Sequence, residues 1–157
     1  MEPETDPSDG YWVSLEPYWR AVDIYSGPEV FLASFGHVPP VIGDLYAAHF
    51  CESEVSNGGL HQFFMNPTGV LAPEAVEALH RVGLNETARI VTEAMAFFGE
   101  PYPRSQAERQ ARLGAVPGEE RSEWDPFFSL DERFYESLGP GHTALFDALD
   151  SHARSGA

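Results

Sequence analysis

Apolar positions along this chain return every three or four residues and do not alternate. Val41, Leu45, Ala48 and Cys51 mark one stripe, and Val76, Leu79 and Val82 a second. Ile90, Val91, Ala94, Phe97 and Phe98 form a third, and Leu145, Phe146 and Leu149 a fourth. Such spacing is what helices with one buried face produce. Prolines and glycines punctuate the same segments. SGPEVFLASFG has Pro28 in a first turn and Gly36 as a stop, and PPVIGDLYAAHFCESEVSNGG runs from a proline pair to Gly58 and Gly59. APEAVEALHRVG follows with Pro73 early and Gly83 late, then LNETARIVTEAMAFFG with Asn85 as the expected cap and Gly99 as its end. Ser105 with Glu108, and Ser129 with Glu132, have the spacing of capping boxes. A last helix is expected at about 141–153. No window shows the period-two pattern of strands. The expected fold is therefore all-α, a single compact domain of about seven to eight helices over 11–154. The first ten residues, MEPETDPSDG, hold no apolar residue after Met1 and read as a disordered acidic tail.

Composition adds a core and a charge. With 43% hydrophobic residues in 157, the chain can bury a core without staples. Its single cysteine, Cys51, excludes an internal disulfide and a multi-cysteine zinc site. Neither a signal peptide nor a membrane span is indicated, so a cytoplasmic location is expected. Twenty-five acids stand against nine arginines and no lysine, giving a net charge of −16. That field repels nucleic acid and anionic membranes and attracts basic surfaces. Direct nucleic-acid binding and membrane association are thus not expected, and a cationic protein partner is.

The charge is unevenly compensated. Glu16 and Arg20, Glu77 and Arg81, Glu108 and Arg112, and Asp150 and Arg154 are acid-first i, i+4 pairs, and read as ordinary helix-surface bridges. Between Arg20 and Arg81, however, sixty residues hold seven acids and no Lys or Arg. From these come the candidates Asp44, Glu52, Glu54 and Glu74. A second excess supplies Glu119, Glu120, Glu123, Asp125, Asp131, Glu132 and Glu136. Evenly spread, sixteen charges on roughly 8,000 Å² would be about fivefold sparser than duplex phosphates, so imitation of DNA needs segregation onto one face or a dimer continuing the pattern.

The densest motif is NGGLHQFFMNPTG, 57–69. Gly58 and Gly59 can end one helix against the start of the next. Asn57, His61, Gln62 and Asn66 would then bond free backbone groups at the helix ends, while Phe63 and Phe64 enter the core. Three stretches, VSNGGLHQFFMNPTG at 55–69, ALHRVGLNETARIVTEAMAFF at 78–98 and LDERFYE at 130–136, resemble the DNA-mimic-protein C-terminal domain family over roughly 40–140. The resemblance implies a small acidic all-helical protein, a homodimer, with a surface that stands in for DNA and occupies a basic DNA-binding protein such as a transcriptional regulator. Asn57, Gly58, Gly59, His61, Gln62, Phe63, Phe64 and Asn66 carry over as its scaffold. Leu60 departs from the family, which commonly has an aromatic there, and Pro67-Thr68-Gly69 replaces a turn richer in serine.

Other chemistries stay open. His61 could serve as a general base beside a carboxylate, or His49, His61 and His80 could converge with Glu52 on a metal, although no recognised ligand spacing is present. No catalytic residue, metal or cofactor is expected. An antidote that masks a basic toxin would need the same acidic surface.

Overall fold

A computed structural model describes residues 9–114 and 125–156, and the regular elements within them are all helical. In order they are α1 (Asp9–Leu15), α2 (Pro28–Phe35), α3 (Pro40–Met65), α4 (Ala72–Arg81), α5 (Asn85–Met95), α6 (Gln106–Leu113), α7 (Phe128–Leu138) and α8 (Thr143–Ser155). Short 3-10 turns extend or join them at Glu16–Tyr18, Pro67–Leu71, Ala96–Phe98 and Pro140–His142. Of the expected tail, residues 1–8 lie outside the described residues. Asp9 and Gly10 open α1.

Helix α3 is the axis on which the others pack. It is buried on every side from Ile42 to Ala48, then on one stripe through Cys51, Val55, Leu60, Phe63 and Phe64. Around it lie α1, α4, α6, α7 and α8. Phe63 and Phe64 are fully buried, each removing enough apolar area to stabilise the fold by about 1.5–3 kcal/mol. Phe64 meets Phe98, Tyr102 and Phe127 with ring centroids 5.0 to 6.1 Å apart.

The punctuation is largely where the sequence puts it. Helix α2 starts at Pro28 and is capped by Gly36, and α7 closes at Gly139. Ser105 Oγ accepts the Glu108 amide at 3.3 Å, while the Glu108 carboxylate turns instead to Arg112 at 3.2 Å. Two expected caps differ. Asn85 is already the first residue of α5, and its Oδ1 lies 2.8 Å from His80 Nδ1. Ser129 sits inside the first turn of α7, whose entry is shaped by Asp125 Oδ1 accepting the Phe127 amide at 2.9 Å. A carboxylate ahead of Pro126 supplies the turn one step before the serine can.

One buried cation ties the helical layers together. Arg109, on the inner face of α6, is 0% exposed. Its guanidinium donates to the carbonyls of Phe64 (2.8 Å), Asn66 (2.9 Å), Pro103 (3.2 Å) and Arg104 (2.6 Å). These are the last carbonyls of α3 and the strand of chain that leads into α6. Gly69 lets the side chain through, because a Cβ there would stand 2.7 Å from Arg109 Nε. Each buried carbonyl left without a donor costs about 1–3 kcal/mol. Arg109→Met, which keeps the stem and removes every donor, is expected to lower unfolding free energy by at least about 3 kcal/mol. Urea unfolding measures this, and an unchanged midpoint would contradict it.

Candidate functional site

The thirteen-residue motif is a break in α3. Gly58 (φ −153°, ψ 19°) and Gly59 (φ 81°, ψ 175°) leave the helical region, and the chain re-enters helix at Leu60. Glycine is required at 59 twice over: its φ is positive, and a Cβ would stand 2.7 Å from Asp131 Oδ2. A break leaves carbonyls open on one side and amides on the other. Helix α7 closes one of each. Asp131 Oδ1 accepts the Leu60 amide at 2.8 Å, and the Tyr135 hydroxyl donates to the Val55 carbonyl at 2.7 Å. Asp131 and Tyr135 are i, i+4, so a single face of α7 seals the joint.

The other motif residues divide. Phe63 and Phe64 enter the core as expected. Gln62 and Asn66 depart from the expected backbone caps: their amides donate to one carboxylate oxygen, Glu54 Oε1, at 3.2 and 2.9 Å. An ionised carboxylate across the joint attracts these donors more strongly than a neutral carbonyl would. Asn57 is exposed, and His61 is half-buried on the second leg.

The same internal use claims most of the candidate acids within the described residues. Asp44, 5% exposed, pairs with Arg81 at 2.6 Å and stands 3.0 Å from His152 Nε2, so it joins α3, α4 and α8. Glu52 Oε2 lies 2.7 Å from His142 Nδ1 and accepts the Ser56 hydroxyl at 2.8 Å. His142 in turn stacks on Tyr135. Glu74 takes both arms of Arg104, at 2.9 and 3.0 Å. Asp131 is committed to Leu60, and Asp125 to its turn. With Glu54, these six carboxylates are engaged within the fold and are not an open array. Glu119, Glu120 and Glu123 lie outside the described residues.

Glu132 and Glu136 are different. Both are exposed, one turn apart on the outer ridge of α7, and neither has an ion-pair partner among the described residues. Beside them Arg133 reaches α5, meeting Glu93 at 3.0 Å and Glu86 at 3.5 Å. Glu93 first, then Glu86, raise the pKa of the guanidinium. Arg89 pairs with Glu86. Where α5 meets α7, Glu86 and Glu93 thus stand against Arg89 and Arg133, two charges against two, and the uncompensated carboxylates are Glu132 and Glu136 on the adjoining outer ridge of α7. Of the expected helix-surface bridges, Glu77 with Arg81 and Glu108 with Arg112 form, at 3.4 and 3.2 Å. Asp150 instead accepts the Tyr11 amide at 2.9 Å.

The histidines do not converge. His49 Nδ1 lies 2.8 Å from the Tyr11 hydroxyl among aromatic rings, and burial pulls its pKa down against the opposing charge of Glu52. His80 faces Asn85, and Glu52 faces His142. Cys51 is buried, which raises its thiol pKa and disfavours the nucleophilic thiolate. Among the described residues no three His, Cys, Asp or Glu side chains stand together as a metal site, and no helix is long and apolar enough to cross a membrane.

A family model described as DMP19-like protein matches residues 36–153, a slightly longer span than the 40–140 over which the motifs carry their resemblance. No curated protein and no solved structure matches the chain.

The joint generates a stability test. Burial raises the Asp131 pKa above 3.8, the Leu60 amide pulls it back, and Asp125 adds to the rise. A carboxyl whose folded pKa is raised takes its proton in the folded chain first, so falling pH favours the fold through this group. Asp131→Ala is expected to cost about 1–2 kcal/mol at neutral pH by orphaning the Leu60 amide. Asp131→Asn, which keeps Oδ1 and drops the charge, is expected to cost clearly less and to erase that pH dependence. Urea titrations of both variants across pH 4 to 7 check this; equal losses for the two would contradict it.

Proposed function

The chain belongs to the DMP19-like protein family, and we propose that it acts, as DNA-mimic proteins do, by binding rather than catalysis. Its acidic surface stands in for the phosphate array and holds a basic DNA-binding protein away from DNA. The observation that carries this reading is the outer ridge of α7, where Glu132 and Glu136 are exposed and have no ion-pair partner among the described residues, while the acids around them are engaged in the fold.

Density decides how the surface works. Sixteen net charges on 7998 Å² are one per roughly 500 Å². Duplex DNA offers about one per 100 Å² of its side. A single copy with its charge spread evenly is too dilute, so the mimicry depends on local concentrations of acid such as the outer ridge of α7. A second copy continuing that face across a two-fold axis would lengthen the array, and we propose a homodimer as the working form. Long-range attraction of a basic partner then sets the association rate and makes binding fall as salt rises.

Capture on immobilised chain from the native cell at low and high salt, followed by displacement with duplex DNA, tests the reading. A retained basic DNA-binding protein is expected to be released by DNA. Reversal of the ridge in Glu132→Arg with Glu136→Arg is expected to weaken its binding at least about tenfold without lowering stability. Glu54→Gln, inside the joint, is expected to change stability and leave binding intact. Unchanged binding by the reversed ridge, or retention insensitive to DNA, would contradict the proposal.

A further inference from the structure

A cleft of about 520 Å³, remote from the joint, is lined by Trp19, Tyr25, Tyr46 and Phe50, with Asp23 and Arg20 supplying charge. Its aromatic floor is built: Trp19 stacks on Phe50 with centroids 4.9 Å apart, and Tyr46 meets Phe50 at 4.8 Å. The loop carrying Asp23 is equally fixed. Its amide donates to Ser34 Oγ at 2.9 Å, Oδ1 accepts the Tyr25 amide at 2.8 Å and Oδ2 accepts the Ser26 hydroxyl at 2.7 Å. Those bonds, Ser26 first and then Tyr25, hold the Asp23 carboxyl below its ordinary pKa, so it is ionised in neutral water. An ionised carboxylate has about four acceptor positions, so two bonds leave room for a ligand.

The second observation is Tyr46. Its ring is buried and lines the cleft, and its hydroxyl, open to water, has no hydrogen-bond partner among the described residues. A hydroxyl with no partner within the fold is free to bond a ligand entering the cleft. Burial first, then the neighbouring Tyr25 and Asp23, push its pKa up, so the hydroxyl stays neutral beside a carboxylate.

Aromatic faces, a fixed carboxylate and an unused hydroxyl are the recognition set for an organic cation. A planar guanidinium can stack on rings and present several donors at once, which a lysine ammonium cannot. We propose that this cleft receives the guanidinium of an arginine side chain on the basic partner. The source of that arginine rests on the DNA-mimic reading; the chemistry of the cleft does not. Arg20 works against such a ligand. It is exposed and forms no ion pair among the described residues, including with Glu16, its expected helical partner.

The test is a nuclear magnetic resonance titration of the full ¹⁵N-labelled chain without any partner protein, using a blocked Gly-Arg-Gly peptide, its citrulline counterpart and free arginine. The Trp19 indole, assigned with Trp19→Phe, and the amides of 23–26 are expected to shift with the arginine peptide and not with the neutral citrulline peptide. Asp23→Asn, on an exposed loop, and Tyr46→Phe, which keeps the ring, are each expected to weaken binding, Asp23→Asn by about tenfold. Arg20→Ala is expected to strengthen it. Equal shifts with citrulline, unchanged affinity in Asp23→Asn, or weaker binding in Arg20→Ala would overturn the cation assignment. Free arginine binding as tightly as the peptide would overturn the assignment to a protein side chain. A positive titration beside a failed DNA displacement would leave the cleft standing and remove the mimic reading; the reverse pair of results would do the opposite.

Discussion

Helix α3 is interrupted in mid-course, and two backbone groups at the interruption, one on each side, are closed by α7. Asp131 accepts a hydrogen bond from the Leu60 amide, and the Tyr135 hydroxyl donates one to the Val55 carbonyl. Left open in a dry interior, the two would cost about 2–6 kcal/mol together, against a total stability of about 5–15 kcal/mol for a domain. The angle of the second leg follows from this closure, and with it the placement of Phe63 and Phe64 against Phe98, Tyr102 and Phe127. At the far end of the leg the Arg109 guanidinium collects the carbonyls of Phe64 and Asn66. One short helical leg is therefore held at its start by a carboxylate and at its end by a guanidinium, each opposite the sign of the local helix dipole.

This arrangement explains why two separate stretches mark the same resemblance. NGG at 57–59 makes the break, and LDERFYE at 130–136 contains the Asp131 and Tyr135 that close it. Neither is useful without the other. It also separates two uses of acid in a chain of net charge −16. Carboxylates at Asp44, Glu52, Glu54, Glu74 and Asp131 meet donors across helices, where low dielectric makes each bond stronger and each vacancy costlier. Those at Glu132 and Glu136 face water, where they contribute little to stability and much to the field around the molecule.

The helices were legible because their signals are local. Proline at a first turn, glycine at a stop and a three-to-four residue stripe all act within one element, so α2, α4 and the glycine break in α3 fall where the spacing predicts. The acids were not legible for the opposite reason. An i, i+4 rule sees only partners on the same helix, whereas Asp44 finds Arg81 at a separation of 37 residues and His152 at 108, and Asp131 finds Leu60 at 71. Arg109 was hidden by its neighbours. It lies between Glu108 and Arg112, which read as a solvated face, yet it shares an i, i+4 side with buried Leu113 and occupies the position of an apolar residue. The aromatic cleft was missed because 19–26 has no helical period, and its members meet only when α3 brings Tyr46 and Phe50 beneath that loop.

Glu132 and Glu136 stand on a helix that the neighbouring Asp131 ties to α3, so this acidic ridge belongs to the packed fold. The separation of structural from exposed acids can be read directly from amide hydrogen exchange, comparing the free chain with the chain bound to the basic protein proposed as its partner. Slowed exchange over 129–137 and 86–93, with the 57–66 joint unchanged, is the pattern this account predicts. Slowing confined to the 57–66 joint, with α5 and α7 untouched, would contradict it.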